Sequence, residues 1–521
     1  MELVRYPIGV QNFPLLRKEG FAYVDKTSYI PLLIKQSRLV FLSRPRRFGK
    51  SLLLSTMEAY FEGKRDLFKG LSVYDMDIDW EPSPVLHFDF NAGVYDSPDG
   101  LLARLHATLE RFESLYGIKT YSKERTEIPI RFENLIQAAY KATGRRVVIL
   151  VDEYDKPLLG LEDNKEIFKQ NQRLLKSFFG CLKSMDGYIR FGFLTGVARF
   201  NKVSIFSDLN NLEDISMDPQ YADICGWTEE ELKANFHSGI EALADELEED
   251  YATTLDTLRT YYDGYLFART GCRVYNPYSV LRALKGKEIE PFWFDTGTPT
   301  FLAERVKELG IYPPDISRER WMREDLMAVG FDDRNPVPLM FQTGYLTIAS
   351  YDKGSKLYEL RFPNREVEIG FYKFLLPIYA PVTVDAGSPF NFSKFIMDLN
   401  NGLPESFMNR LATLLKGVPG EDHCESTYRA VTFLVCKLCG SQTLAENRSY
   451  KGRSDLEVFT TRYIYLFEFK YNKSVEEAMD QIYSRDYAGR YALDSRQVYL
   501  IAANFNEKKD NRGLSYEIKK M

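Results

Sequence analysis

Cysteine and histidine are scarce in this chain, with six and four copies among 521 residues. Six thiols spread over that length make no disulfide framework, and the single C-x-x-C, Cys436 to Cys439, lies in an apolar stretch of helical spacing. His423 and Cys424 lie nearby, but no second C-x-x-C completes a zinc cluster, so a helix core is the expected role of this pair. The histidines, His87, His106, His237 and His423, are scattered and suggest no Ser-His or Cys-His catalytic unit. No apolar run approaches the ~20 residues needed to span a bilayer, and the first seven residues lack the apolar core of a signal peptide. A cytoplasmic protein with no membrane partner is expected. The net charge of −6 excludes a molecule whose whole surface grips nucleic acid, although a local basic groove would suffice. There is no internal repeat and no low-complexity tract. Aromatic residues are plentiful at 14%, enough to build the cores of two to four domains.

Residues 38–58, RLVFLSRPRRFGKSLLLSTME, form an apolar strand, a basic loop and the opening of a helix. Most of a P-loop is present. Gly49 lets backbone N–H groups approach phosphates, Lys50 is a point charge for the β- and γ-phosphates, and the Ser51 hydroxyl is placed to ligate Mg²⁺. The opening glycine of G-x-x-x-x-G-K-[ST] is replaced by Arg44, which Pro45 biases toward extended geometry. Either Arg46 and Arg47 supply phosphate contacts that the backbone gives up, or nucleotide is held weakly. The competing reading is an exposed basic turn.

Residues 145–155, RRVVILVDEYD, are a β-branched run ending in acids, as expected of a strand buried on both faces. Asp152 then suits Mg²⁺, and Glu153 suits polarising the attacking water. A third strand, YIRFGFLT, ends in Thr195 and is followed by Arg199 and Lys202. Thr195 is a candidate to sense the γ-phosphate, and Arg199 or Lys202 to stabilise developing charge, although short strands often end this way.

The far end of the chain holds GRSDLEVF, a polar turn and IYLFEFK, which read as a β-hairpin. A period of two puts Glu468 and Lys470 on one face and Phe467 and Phe469 on the other, and Asp455 can reach the first face. Asp455, Glu468 and the Phe469 carbonyl make an oxygen-rich site suited to Mg²⁺. Lys470 beside it could orient or deprotonate a water and offset phosphodiester charge. E-x-K alone is uninformative, since any solvated strand alternates these residues; Asp455, the flanking aromatics and a following helix carrying Gln481 and Tyr487 raise the case.

Between the two sites, Thr228 and Glu231 form a capping box, and amphipathic helices follow to about residue 309. The Tyr262–Tyr265 and Asn276–Pro277 turns read as packing corners. Residues 338–351 and 356–362 suggest a hairpin, which after helices is the order of a winged-helix lid. Residues 385–420 read as a connector.

The YPIG, YVDKT, RPRRFGKS, VDEYD and TGVAR segments together resemble a bacterial AAA-ATPase-like family, and GRSD, EFK and Gln481…Tyr487 resemble the PD-(D/E)XK nuclease superfamily module commonly fused to it. The Arg-Pro-Arg-Arg loop is typical of the first family. The resemblance implies ATP and Mg²⁺ as cofactors and a further acidic residue from a preceding helix, for which Glu425 and Glu446 are both candidates. The expected architecture is α/β: a P-loop ATPase core with a parallel sheet (1–226), a helical or winged-helix-like extension (227–384), the connector (385–420) and an α/β nuclease-like domain (421–521). The expected function is an ATPase gating a metal-dependent nuclease, with nucleic acid as partner and DNA ahead of RNA. The oligomeric state, homo-oligomer included, stays open. The alternatives are an ATP-controlled switch or scaffold whose nuclease-like domain only binds nucleic acid, and a nucleotide-binding module without turnover.

Overall fold

The computed structural model of the chain describes residues 5–76, 80–118, 127–161, 164–199, 205–206, 209, 211–296, 300–317, 319–327, 335–380, 392–418, 424–439, 442–448, 453–506 and 513–521. Two compact units divide it, Met1–Asp295 with Glu319–Glu366, and Thr296–Arg318 with Val367–Met521. None of the described helices is long and apolar enough to cross a membrane.

In the first unit, β1 (Leu39–Ser43), β2 (Val85–Asp89), β3 (Val147–Asp152), β4 (Ile189–Gly196) and β5 (Leu212–Asp214) form a sheet of order β2-β3-β4-β1-β5. Every pairing is parallel, so all C-terminal strand ends lie along one edge. Strands β1 and β3 are buried along their whole length, as their unbroken apolar runs require. Helices Gly100–Leu115, Ile128–Thr143 and Lys165–Ser184 supply much of the covering core, where Phe132 stacks on Phe178 at 4.4 Å and Phe88 meets both edge-on.

The chain does not divide after residue 226. Helices Glu229–Leu247, Tyr251–Tyr262 and Pro277–Gly286 share a core with Trp227 and Val24, and Tyr6 and Ile8 from the N-terminal segment pack against it. The capping box forms, with the Glu231 amide donating to Thr228 Oγ1 and the Thr228 amide to Glu231 Oε2. The aromatic turns are packing corners: Tyr262 and Tyr265 are fully buried, and Asn276 caps the third helix by accepting the Tyr278 and Ser279 amides. Gly264, at φ +103°, admits no side chain, because a Cβ would fall 2.0 Å from the Pro363 carbonyl oxygen.

The expected hairpin is shorter than its apolar pattern. It pairs β7 (Thr347–Asp352) with β8 (Leu357–Arg361), joined by a turn in which Asp352 accepts the Gly354 amide, and β6 (Arg320–Trp321) lies along β8. Val337–Thr343 is helical instead, a helix that Pro338 near its start and Gly344 after its end both favour.

In the second unit, β9 (Gln442–Arg448), β10 (Arg453–Phe459), β11 (Tyr463–Tyr471), β12 (Gln497–Asn506) and β13 (Gly513–Lys520) follow sheet order, antiparallel except for β11 and β12. Helix Val475–Ser484 makes the crossover that the parallel pair needs, burying Ala478, Met479 and Ile482 against Leu466 and Leu500. The segment read as a connector is part of this unit. Helices Phe392–Asn400 and Pro404–Leu415 pack on the sheet, where Phe407 meets Phe467 and the Tyr465 hydroxyl donates to the Leu399 carbonyl at 2.6 Å. Cys436 is buried in helix Glu425–Leu438, in keeping with the core role expected of it, whereas His423 lies outside the described residues.

Glu366 is fully buried, with Oε1 accepting the Ser279 hydroxyl at 3.0 Å and the Trp293 amide at 2.8 Å. Burial pushes its carboxyl from the ordinary 4.5 up to about 8, against the pull of those donors. The folded value is the raised one, so its stabilising contribution is complete below the unfolded pKa and is lost as pH rises through 8. Glu366→Gln, which keeps the acceptor but cannot ionise, should therefore gain melting temperature over wild type progressively from about pH 5 to pH 8; a difference independent of pH would contradict this.

Candidate functional site

Two sites take shape, one in each unit. At the strand-end edge of the parallel sheet, β1 leads through residues 44–49 into helix Lys50–Phe61, with Gly49 at φ +92° as its N-cap. Lys50 is buried, and its Nζ donates to the Arg44 carbonyl at 3.0 Å and lies 3.1 Å from Glu153 Oε1. Glu153 follows β3 in left-handed backbone at φ +51°, a conformation that costs a glutamate about 1–3 kcal/mol. Asp152 accepts from the Ser51 hydroxyl and, at 2.7 Å, from the Thr195 hydroxyl. Burial raises the Asp152 carboxyl despite those two donors. Lys50, Ser51, Asp152, Glu153 and Thr195 thus converge from β1, β3 and β4. Thr195 is spent on Asp152, which makes it a support for that carboxylate.

The arginines separate. Arg44 is 1% exposed and acts as a clamp: its guanidinium donates to the carbonyls of Ser43, Ser216 and Tyr221 and lies 4.2 Å over the Phe267 ring. Burial pulls its pKa down to about 10. Arg47, at φ +70°, donates to the Phe292 carbonyl at 2.7 Å and stacks 3.7 Å over Tyr278, both in the helical extension. Arg46 is exposed. Arg199 pairs with Asp214 at the end of β5, and Lys202 lies outside the described residues.

In the second unit, Leu456 of β10 faces Phe467 of β11, a register that sets Asp455 opposite Glu468. Lys470 Nζ donates to Glu468 Oε1 at 2.8 Å and to Gln481 Oε1 at 2.7 Å. Gln481 Nε2 donates to the Tyr487 hydroxyl, which donates in turn to Glu468 Oε2, both at 3.2 Å. Asp455 Oδ2 accepts the Phe469 amide at 2.9 Å. Glu468 is 2% exposed, and burial, with Asp455 second, pushes its carboxyl up to about 7. The strand period puts Glu468 beside Lys470, and Gln481 of the crossover helix and Tyr487 complete their hydrogen-bond network, with Asp455 close enough to act on Glu468 through its charge.

Comparison with known proteins follows the same division. The family model described as "Predicted AAA-ATPase" matches residues 7–206, and that of the PD-(D/E)XK nuclease superfamily matches residues 423–514. A protein of Azotobacter chroococcum mcd 1, named "Uncharacterized protein in vnfD 5'region", is 34% identical over 531 residues, spanning 99% of this chain and 98% of its own. The chain belongs to the AAA-ATPase-like family and ends in a PD-(D/E)XK nuclease superfamily domain.

Both domains have donors suited to magnesium. In the AAA-ATPase-like domain Ser51 and Asp152 offer hard oxygens beside Lys50. In the nuclease-superfamily domain Asp455 and Glu468 would hold the ion, and the Glu468 carboxyl, raised first by burial and then by Asp455, is one whose charged form a divalent cation would favour. No group of three or more His, Cys, Asp or Glu side chains forms a metal cluster among the described residues. Of the two candidates for a further carboxylate, Glu425 lies 3.8 Å from Arg429, and the side chain of Glu446 lies outside the described residues. Arg429 itself escaped the sequence reading, although its place four residues after Glu425 on one helix was a usable signal. Asp155 also went without a role; it is fully buried and accepts the Val197 and Ala198 amides, shaping the turn after Thr195.

Arg44→Gly restores the glycine of the usual loop spacing yet removes the clamp, leaving buried carbonyls without their donor. It should destabilise the protein by about 3 kcal/mol without tightening nucleotide binding, as denaturant unfolding and calorimetry would show; tighter ATP binding at unchanged stability would contradict the clamp role.

Proposed function

We propose that this protein binds and hydrolyses Mg·ATP in its AAA-ATPase-like domain and that nucleotide state gates a metal-dependent nuclease in its C-terminal domain. The observation that carries the reading is the Lys470 ammonium held between Glu468 and Gln481, with Asp455 anchored on the adjacent backbone amide. A lysine fixed beside two carboxylates can orient a water and offset the charge of a phosphodiester transition state. Magnesium, when bound there, would supply Lewis-acid polarisation of the phosphate.

In the first domain, Lys50 is neutralised by Glu153, and a nucleotide phosphate would compete for that ammonium. Glu153, once released, is the residue to orient the attacking water, with Ser51 and Asp152 retained for the metal. The contacts between Lys50 and the Arg44 and Pro45 carbonyls favour the weak hold on nucleotide expected of a loop that opens on Arg44, since they keep the loop closed. DNA as substrate, a cytoplasmic location and a nucleotide-controlled switch between cleaving and idle states belong to the same proposal.

Lys50→Ala should abolish ATP binding, and Glu153→Gln should keep binding while losing turnover, as calorimetry and phosphate release would report. If wild type shows no ATP affinity at millimolar nucleotide, the ATPase reading fails. On DNA and RNA panels with Mg²⁺ or Mn²⁺, Asp455→Ala should lose metal binding and cleavage together, whereas Lys470→Ala should bind metal and substrate but lose turnover by about 10²-fold or more. Cleavage surviving both substitutions combined would place the chemistry elsewhere. Cleavage absent under every nucleotide and metal condition would favour the scaffold.

A further inference from the structure

The polar network around Glu468 holds two carboxylates, Asp455 and Glu468, and two cations, Lys470 and Arg429. Arg429 comes from helix Glu425–Leu438, and its guanidinium lies 3.4 Å from Asp455 Oδ1, 3.8 Å from Glu425 Oε1 and 5.4 Å from the centre of the Tyr312 ring. Glu425, half exposed at the rim, adds a third carboxylate to these two pairs. A divalent ion bound to the same carboxylates would leave a surplus of positive charge in a half-buried site, a cost that one of the resident cations can relieve by withdrawing.

At the two carboxylates the cations are held at different distances. Lys470 is 14% exposed and makes two short bonds, 2.8 Å to Glu468 and 2.7 Å to Gln481. Arg429 is 21% exposed, and its contacts with Asp455 and Glu425 are at or beyond the outer limit of a hydrogen bond.

We propose that Arg429 is a place-holder for the metal: it neutralises Asp455 while no divalent ion is bound, and it must give up that carboxylate for the ion to seat. Arg429 thereby sets the concentration of divalent ion at which the nuclease site loads. The inference rests on the metal-dependent reading of Asp455 and Glu468 given above. Arg429 is a positioning residue, acting through Asp455.

The test is calorimetric titration of Ca²⁺ and of Mn²⁺ into the full chain, with Asp455→Asn run in parallel so that the signal of this site is the part that substitution removes. Arg429→Gln should bind either ion roughly tenfold tighter than wild type, since a competing charge is gone. Arg429→Lys, which keeps the charge, should stay within about threefold of wild type. Should the glutamine variant fail to fold, Arg429→Met retains an apolar stem against Tyr312 and serves in its place. Unchanged or weaker ion binding in the charge-removing variant, alongside wild-type cleavage that depends on Asp455, would overturn the place-holder and leave the nuclease reading standing. No ion binding dependent on Asp455 in wild type or variant would overturn both.

Discussion

Parallel strand pairing is the constraint on which both sites depend. A parallel pair cannot be closed by a tight turn, so a helix must carry the chain back, and strand C-termini collect along one edge. In the first unit the pairing of β1 with β4 sets Ser43 opposite Gly196, and that of β2 with β3 sets Asp89 opposite Asp152. The loop before Lys50, the acids after β3 and the hydroxyl of Thr195 therefore meet although they are far apart in the chain. In the second unit the one parallel pair, β11 with β12, forces the crossover helix that brings Gln481 to Lys470.

Around that frame several buried charges meet an opposite charge or a set of backbone dipoles. Lys50 meets Glu153, Lys470 meets Glu468, Glu457 meets Arg490 and the Tyr491 hydroxyl, and Arg131 makes a two-pronged pair with Glu113. Arg44 is met by dipoles in place of a carboxylate: its guanidinium donates to the carbonyls of Ser43, Ser216 and Tyr221 and lies over the Phe267 ring. That is consistent with its lowered pKa and with its role as a tie between the end of β1 and residues 216–221. The charge that looked like a defect in a phosphate loop is part of what holds the loop to its neighbours.

Arg47 makes a related point about the middle region. Its guanidinium reaches Phe292 and Tyr278, the Trp293 indole donates to the Arg46 carbonyl at 3.5 Å, and Pro45 abuts Gly344. The loop before Lys50 is thus fastened to helical and hairpin elements of the same unit. A change of conformation in that loop would be felt by them, because close-packed neighbours respond to small shifts.

Local patterns carried much of this protein. The apolar run ending in Asp152 and Glu153, the Gly49-Lys50-Ser51 turn, the capping box at Thr228 and the alternation that sets Glu468 beside Lys470 could all be read directly, because backbone geometry imposes a period of two or a specific cap over a few residues. The same local view could not tell where a long side chain ends. Arg44, Arg47 and Arg199 had several partners within reach of a flexible stem, and only the packed chain selected the Tyr221 carbonyl, the Tyr278 ring and Asp214. Nor could it see that helices Phe392–Asn400 and Pro404–Leu415 belong to the nuclease-superfamily unit, since an amphipathic face announces that it will be buried but not against what. The sequence by itself determined the elements and the chemical types at their ends; tertiary structure decided which charges met, because ion pairs such as Arg429 with Asp455 join residues that no local period relates.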